Sequence, residues 1–183
     1  MKEPLIKRVN DGKSKGKTYS ALLHKYNESI ENGYYGEAEL IVYAFIEDRL
    51  RSFIYYSDLI DSINSNKVNE NAEQLMGAVY DIRNISNKIS IIRKALKTCS
   101  LKADEMSSFE KSLKKRYITA LKVAELKKNL NQIEKWCRYR NEIIHALFNK
   151  DLADLRKGYE DRVKDGMKLG RYIDTQVQLL KNA

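Results

Sequence analysis

A single proline, Pro4, and eight glycines in 183 residues leave almost nothing after the opening stretch to interrupt a helix. This shortage argues against an all-β or loop-rich fold. Two cysteines, Cys99 and Cys137, are too few for a disulfide framework, and two histidines, His24 and His145, add no ligand cluster. Neither a metal site nor a cofactor is expected. The longest apolar run, Leu40 to Ile46, has seven residues, whereas a membrane span needs about 18. The first 17 residues are basic but lack the apolar centre of a secretory signal. What remains is an all-α chain expected in a reducing, cytoplasmic setting, with no membrane partner.

The apolar fraction of 43%, enriched by twelve tyrosines, is enough for a core, which excludes a disordered chain. Lysine and arginine outnumber aspartate and glutamate by 34 to 25, for a net charge of +9. The surplus is uneven: residues 1–18 carry +4, residues 19–82 carry −7, residues 83–128 carry +9 and residues 129–183 carry +3. A basic middle therefore follows an acidic first half, and residues 83–128 are the natural place for phosphate-backbone contacts. Lys114, Lys115 and Arg116 lie within it as candidate substrate-binding residues.

Residues 1–18 read as a flexible basic segment and residues 19–183 as one helical domain. The stretch Gly12-Lys-Ser-Lys-Gly16-Lys-Thr superficially resembles a phosphate loop, but three residues separate the glycines where that motif needs four, and no buried strand precedes it. Helices are expected over about 19–31, with Asn32-Gly33 as a stop, and over 35–63, 76–98, 109–149 and from just after Asp151 to Lys181. Val42, Ile46, Leu50, Phe53, Ser57 and Ile60 form the core stripe of the second helix. Tyr159, Val163, Met167, Ile173, Val177 and Leu180 form that of the last. Gly166 and Gly170, four apart on or beside this stripe, permit either close helix approach or a loosened helix. The architecture implied is a bundle of four to six helices.

The informative stretch is Trp136-Cys-Arg-Tyr-Arg-Asn-Glu-Ile-Ile-His145-Ala-Leu-Phe148. On an ideal helix Ile133, Trp136, Cys137, Ile143, Ile144 and Leu147 share a face, and Arg140 falls in the middle of it. A guanidinium on a core stripe demands an acid, an interface or an anionic ligand. Arg138, Asn141 and His145 cluster on the flanking polar side. Such a set suits metal-free phosphodiester cleavage in RNA. A neutral imidazole takes the 2′-hydroxyl proton and guanidinium groups stabilise charge on the phosphate. Glu134 and Glu142 do not pair with a second histidine, which leaves a metal nuclease poorly supported.

Arg140-Asn141-Glu142-Ile143-Ile144-His145 resembles the Rx4–6H motif of HEPN domains, with its polar residue directly after the arginine. The resemblance implies a small helical bundle that dimerises so that two motifs form a composite cleft that cuts RNA, leaving a 2′,3′-cyclic phosphate and a 5′-hydroxyl. It assigns His145 as general base or acid, Arg140 as phosphate stabiliser and Asn141 as an orienting residue, with Arg138 beside them. Arg138 also forms an Rx6H pair with His145, so the two arginines are interchangeable at this stage. Arg140 and His145 point about 140° apart on one ideal helix, an independent reason for two copies. Leu147 stands where some HEPN toxins carry the tyrosine that a partner antitoxin modifies, a departure from that route of control.

The leading expectation is a homodimeric endoribonuclease, a toxin or abortive-infection effector in phage defence, with RNA as substrate and an antitoxin or other regulatory partner. The alternative is a non-catalytic helical module binding nucleic acid or a protein partner, in which Glu47 pairs with Arg140. DNA binding through the basic middle is the weakest reading, because no recognition-helix signature stands out.

Overall fold

Five α-helices and no strand make up the described residues, which in this computed structural model are 12–57, 84–98, 121–146 and 157–182. They are α1 (Gly12–Glu31), α2 (Tyr35–Tyr56), α3 (Ile85–Thr98), α4 (Val123–Ala146) and α5 (Tyr159–Lys181). The all-α expectation therefore holds. The expected helical stretches 58–63, 76–83, 109–120, 147–149 and 151–156 lie outside the described residues, as do Ile60, Leu147 and residues 1–11.

Asn32-Gly33 ends α1 as its composition dictates. Gly33 takes the left-handed conformation, φ 73°, while its N–H donates to the Ile30 carbonyl and that of Tyr34 to the Ser29 carbonyl at 2.7 Å. This is the pattern that satisfies the orphan carbonyls of a helix end. The chain reverses there, and α1 packs antiparallel on α2: Ser29 donates to Glu37 at 2.6 Å near the turn, and Lys15 reaches Asp48 at 3.3 Å at the far end.

That far end corrects one expectation. Residues 12–18 are helical, not a flexible arm, and α1 begins seven residues before Tyr19. Glycine and lysine at its start are weak local arguments for a helix, but Lys15 and Tyr19, four residues apart, both dock on the Asp48–Arg49 step of α2. Tertiary contact overrides local propensity here.

The central interface joins α2 to α5, which run parallel in constant register. Tyr35 donates to Glu160 at 2.8 Å, Phe45 lies against Gly170, Arg49 donates to Asp174 at 2.8 Å, and Lys181 lies over the Tyr56 ring. Val42, Ile46, Leu50 and Phe53 on α2 face Val163, Met167, Ile173 and Val177 on α5, all within one core. The two periodic stripes thus meet as their spacing requires.

Helix α4 runs antiparallel to α5, with Trp136 against Gly166 and Tyr139 against Arg162. It supplies Leu126, Leu130 and Ile133 to the core. Helix α3 starts where the Asn84 side chain accepts the N–H of Asn87 at 2.9 Å, an N-cap in function. Its Ile85, Ile89, Ile92 and Leu96 are buried. Arg93 on α3 ties to Glu134 on α4 at 2.8 Å.

Candidate functional site

The motif lies on the last two turns of α4. Ile133, Trp136 and Ile143 are buried on its inner face, but Ile144 is 39% exposed, so the apolar stripe is narrower than the helical wheel implies. Arg140 sits at the edge of that stripe and is half-buried. Its guanidinium carbon stands 4.6 Å from the centroid of the Tyr43 ring on α2, a stacking distance for a cation on a π face. Its Nη1 donates weakly to the Asn141 side chain at 3.4 Å. Its Nε is buried with no partner among the described residues.

Arg138, Asn141 and His145 are exposed on the outer side of α4, as the polar face requires. His145 occupies the last turn, where a cation is favoured by the helix dipole. Neither Arg138 nor His145 has a hydrogen bond or ion pair among the described residues. The structure thus brings Arg140 and Asn141 together, places Arg138 and His145 on open surface, and separates the Arg140 stack from the imidazole. Lys114, Lys115 and Arg116 lie outside the described residues.

Glu47 is not the partner of Arg140. It lies 2.9 Å from the Lys88 ammonium and 3.5 Å from Arg51, one turn farther along α2 than Tyr43. An aromatic face meets Arg140 where an acid was expected. The Arg140 side chain reaches α2 at Tyr43, while Glu47 is taken by the buried Lys88 of α3.

Charged and aromatic residues that the sequence pattern did not point to lie near Arg140. Glu39 on α2 is buried, 6% exposed, and accepts the Tyr159 hydroxyl at 2.9 Å. Burial raises the Glu39 carboxyl above its ordinary range, opposed by that hydrogen bond and by the charges of Arg140 and Arg162. Arg162 on α5 donates to the Tyr139 hydroxyl at 2.6 Å and lies over the Tyr139 ring. Glu39, Arg140, Arg162, Tyr43, Tyr139 and Tyr159 therefore form one patch contributed by three helices. Tyr159 and Glu39 are 120 residues apart, which no local spacing reveals.

Cys137 lies half-buried beside Arg140, and burial pushes its thiol up to about 12, partly offset by the Arg140 charge. Such a thiol is inert as a nucleophile near neutrality. The end of α4 has instead parts that can meet an anion: a half-buried guanidinium with no carboxylate partner among the described residues, an exposed amide beside it, and an exposed imidazole on the next turn. Its protein frame is rigid on the inner side, through Tyr43, and open on the outer side. Set against models of protein families, curated proteins and solved structures, the chain matches none of them.

Proposed function

We propose that the protein is a homodimeric, metal-independent endoribonuclease of the HEPN type, serving as a toxin or abortive-infection effector in phage defence and held in check by an antitoxin or other regulatory partner. The observation that carries the reading is Arg140: a half-buried guanidinium stacked on Tyr43, with an Nε that donates to nothing among the described residues. That Nε is buried, so a phosphate would meet the terminal nitrogens, which pair with no carboxylate among the described residues.

In this mechanism His145 takes the proton of a ribose 2′-hydroxyl, whose oxygen attacks the adjacent phosphorus. The bond to the 5′-oxygen breaks, and that oxygen leaves with a proton from the His145 of the second copy or from water. The products are a 2′,3′-cyclic phosphate and a 5′-hydroxyl. Arg140 stabilises the charge that develops on the phosphate, Asn141 orients it, and Arg138 with Lys114, Lys115 and Arg116 holds the backbone. Two copies are required because one helix turns Arg140 and His145 about 140° apart.

Incubation of the purified protein with mixed RNA in EDTA tests this. Wild type is expected to shorten the RNA to fragments ending in cyclic phosphate, and His145→Ala to leave it intact. Identical ladders from the two proteins would sink the catalytic claim.

One observation favours a second reading, a non-catalytic module that binds nucleic acid or a protein partner. Arg140 already has a structural contact in Tyr43, and its charge also acts on Glu39. If Arg140→Ala loses its fold or its dimer, that structural reading replaces the catalytic one.

A further inference from the structure

A cavity of about 230 Å³ opens at the other end of α2, lined by Lys15, Tyr19, Arg49, Ser52, Tyr55 and Lys181 among others. Its walls come from α1, α2 and α5. Its α2 wall, Arg49 to Tyr56, lies six to thirteen residues past Tyr43, about 9–20 Å along the helix at the helical rise. It is a site separate from the one on α4.

The lining is basic and aromatic with no carboxylate in it: Lys15, Arg49, Arg51 and Lys181 converge with Tyr19, Tyr55 and Tyr56. The acids that balance them stand behind, not in the cavity. Asp48 holds Lys15 at 3.3 Å and Arg49 at 2.5 Å, and Asp174 holds Arg49 at 2.8 Å. Arg49 is only 7% exposed, and its two terminal nitrogens are occupied by Asp174, Asp48 and Tyr19. Its Nε–H has no partner among the described residues. Lys181 has the Tyr56 ring at 4.7 Å and no carboxylate among the described residues. Arg49 is thus held by protein groups, and Lys15, Arg51 and Lys181 in a lining without a carboxylate give the cavity a positive field that favours an anion.

Size and aromatic content narrow the class. The volume is well above the ~10–15 Å³ that a single water needs, and more than a tetrahedral anion alone fills. Tyr55 and Tyr56 pack edge to face with centroids 5.0 Å apart, and both line the cavity beside the cations, with Lys181 over the Tyr56 ring. Phosphate-holding cations next to tyrosine rings are the pattern on which nucleotides stack.

From this juxtaposition we infer that the cavity binds a nucleoside phosphate, with its phosphate on Lys15 and Lys181 and its base against Tyr55. The inference is independent of whether His145 cuts RNA. The nucleotide comes either from the free pool or from the phosphorylated end of a strand.

Calorimetric titration of the full chain distinguishes these. The probes are the four ribonucleoside 5′-monophosphates, inorganic phosphate, the matching nucleosides, and a 5′-phosphorylated tetranucleotide with a 2′-deoxy backbone that cannot be cut. At least one monophosphate is expected to bind at least tenfold more tightly than phosphate or its nucleoside. The double variant Lys15→Gln/Lys181→Gln is expected to weaken that binding at least tenfold; it gives up the Lys15–Asp48 ion pair and so melts slightly lower, while remaining folded. His145→Ala is expected to bind as wild type does. A tetranucleotide tenfold tighter than the monophosphate identifies the strand end as the source, and equal or weaker binding identifies the free nucleotide. Absence of heat with every nucleotide at 5 mM overturns the inference, using the wild-type protein alone. So does undiminished binding by the folded double variant, or binding of inorganic phosphate as tight as that of any nucleotide.

Discussion

The indole of Trp136 occupies the space that a side chain on Gly166 would need: a Cβ built there would lie 2.5 Å from Cε2 of the ring. The ring cannot easily retreat, because its Nε1–H donates to the Arg162 carbonyl at 2.9 Å. Of the two roles that small residues four apart permit, close approach is the one realised, since α5 is continuous from Tyr159 to Lys181. Gly166→Ala is expected to destabilise the fold by about 1–3 kcal/mol, the usual penalty of overpacking, read as a lower urea midpoint with unchanged slope. Gly170→Ala, facing Phe45 at 2.6 Å and the fully buried Ile46 at 3.2 Å, is also expected to lose stability, read the same way.

For Arg140 the expected signature is a split between stability and activity. Loss of the Tyr43 stack in Arg140→Ala is worth about 1 kcal/mol for a half-buried pair. Cleavage of RNA should fall at least about a hundredfold if the guanidinium stabilises the phosphate. His145→Ala should leave the melting temperature unchanged, since the side chain is exposed and unpartnered among the described residues, and should abolish cleavage. Parallel melting and RNA-cleavage assays on both variants decide the matter.

Arg49 is predicted to be structural before anything else. It bridges α2 to α5 through Asp174 and lies over the Tyr19 ring of α1 at 4.5 Å. Arg49→Ala leaves Asp48 and the Tyr19 hydroxyl short of their donor, and is expected to cost about 3 kcal/mol, the low end for breaking a buried pair. Arg49→Lys should recover little, because one ammonium cannot span both carboxylates. Chemical denaturation measures both.

Asp48 and Glu39, two of the four carboxylates of α2, should respond oppositely to pH. Burial pushes Asp48 up, but hydrogen bonds from Tyr19 and Arg49 together with Lys15 outweigh it and hold the group below its usual value. Its contribution is present above the ordinary aspartate range and is lost as pH falls through the lowered value. Glu39 is raised, chiefly by burial. It stabilises the fold below the ordinary glutamate range, and that contribution is lost as pH rises through the raised value. Relative to wild type, Glu39→Gln is therefore expected to gain stability as pH rises across this mildly acidic window, measured as the difference in urea midpoints. A constant difference would show that Glu39 does not titrate as proposed.

The helices were legible because apolar residues recur at threes and fours in α2 and α5, and the Asn32-Gly33 stop falls where its chemistry puts it. Arg140 stood out for a physical reason as well, a charge on a stripe, although its neighbour is an aromatic ring and not Glu47. What was not legible depends on long-range meeting. Lys88 looks like one more lysine in a basic stretch, yet it is fully buried against Glu47, 41 residues away. Glu39 and Arg49 read as ordinary polar residues of an acidic helix until α5 is laid beside them. The helical start of α1 was hidden for the same reason, since its support comes from Asp48 and Arg49.

The parallel register of α2 and α5 carries a consequence for how the chain reaches this state. Two parallel neighbours cannot be joined by a tight turn, and the hydrogen bonds between Tyr35 and Glu160 and between Arg49 and Asp174 each close a loop of 125 residues. During synthesis α1 and α2 can pair at once, but the face of α2 that receives α5 stays uncovered until α5 has emerged. Folding is accordingly expected to be slower than for a bundle of sequential hairpins, and chains cut short before Tyr159 are expected to aggregate through α2.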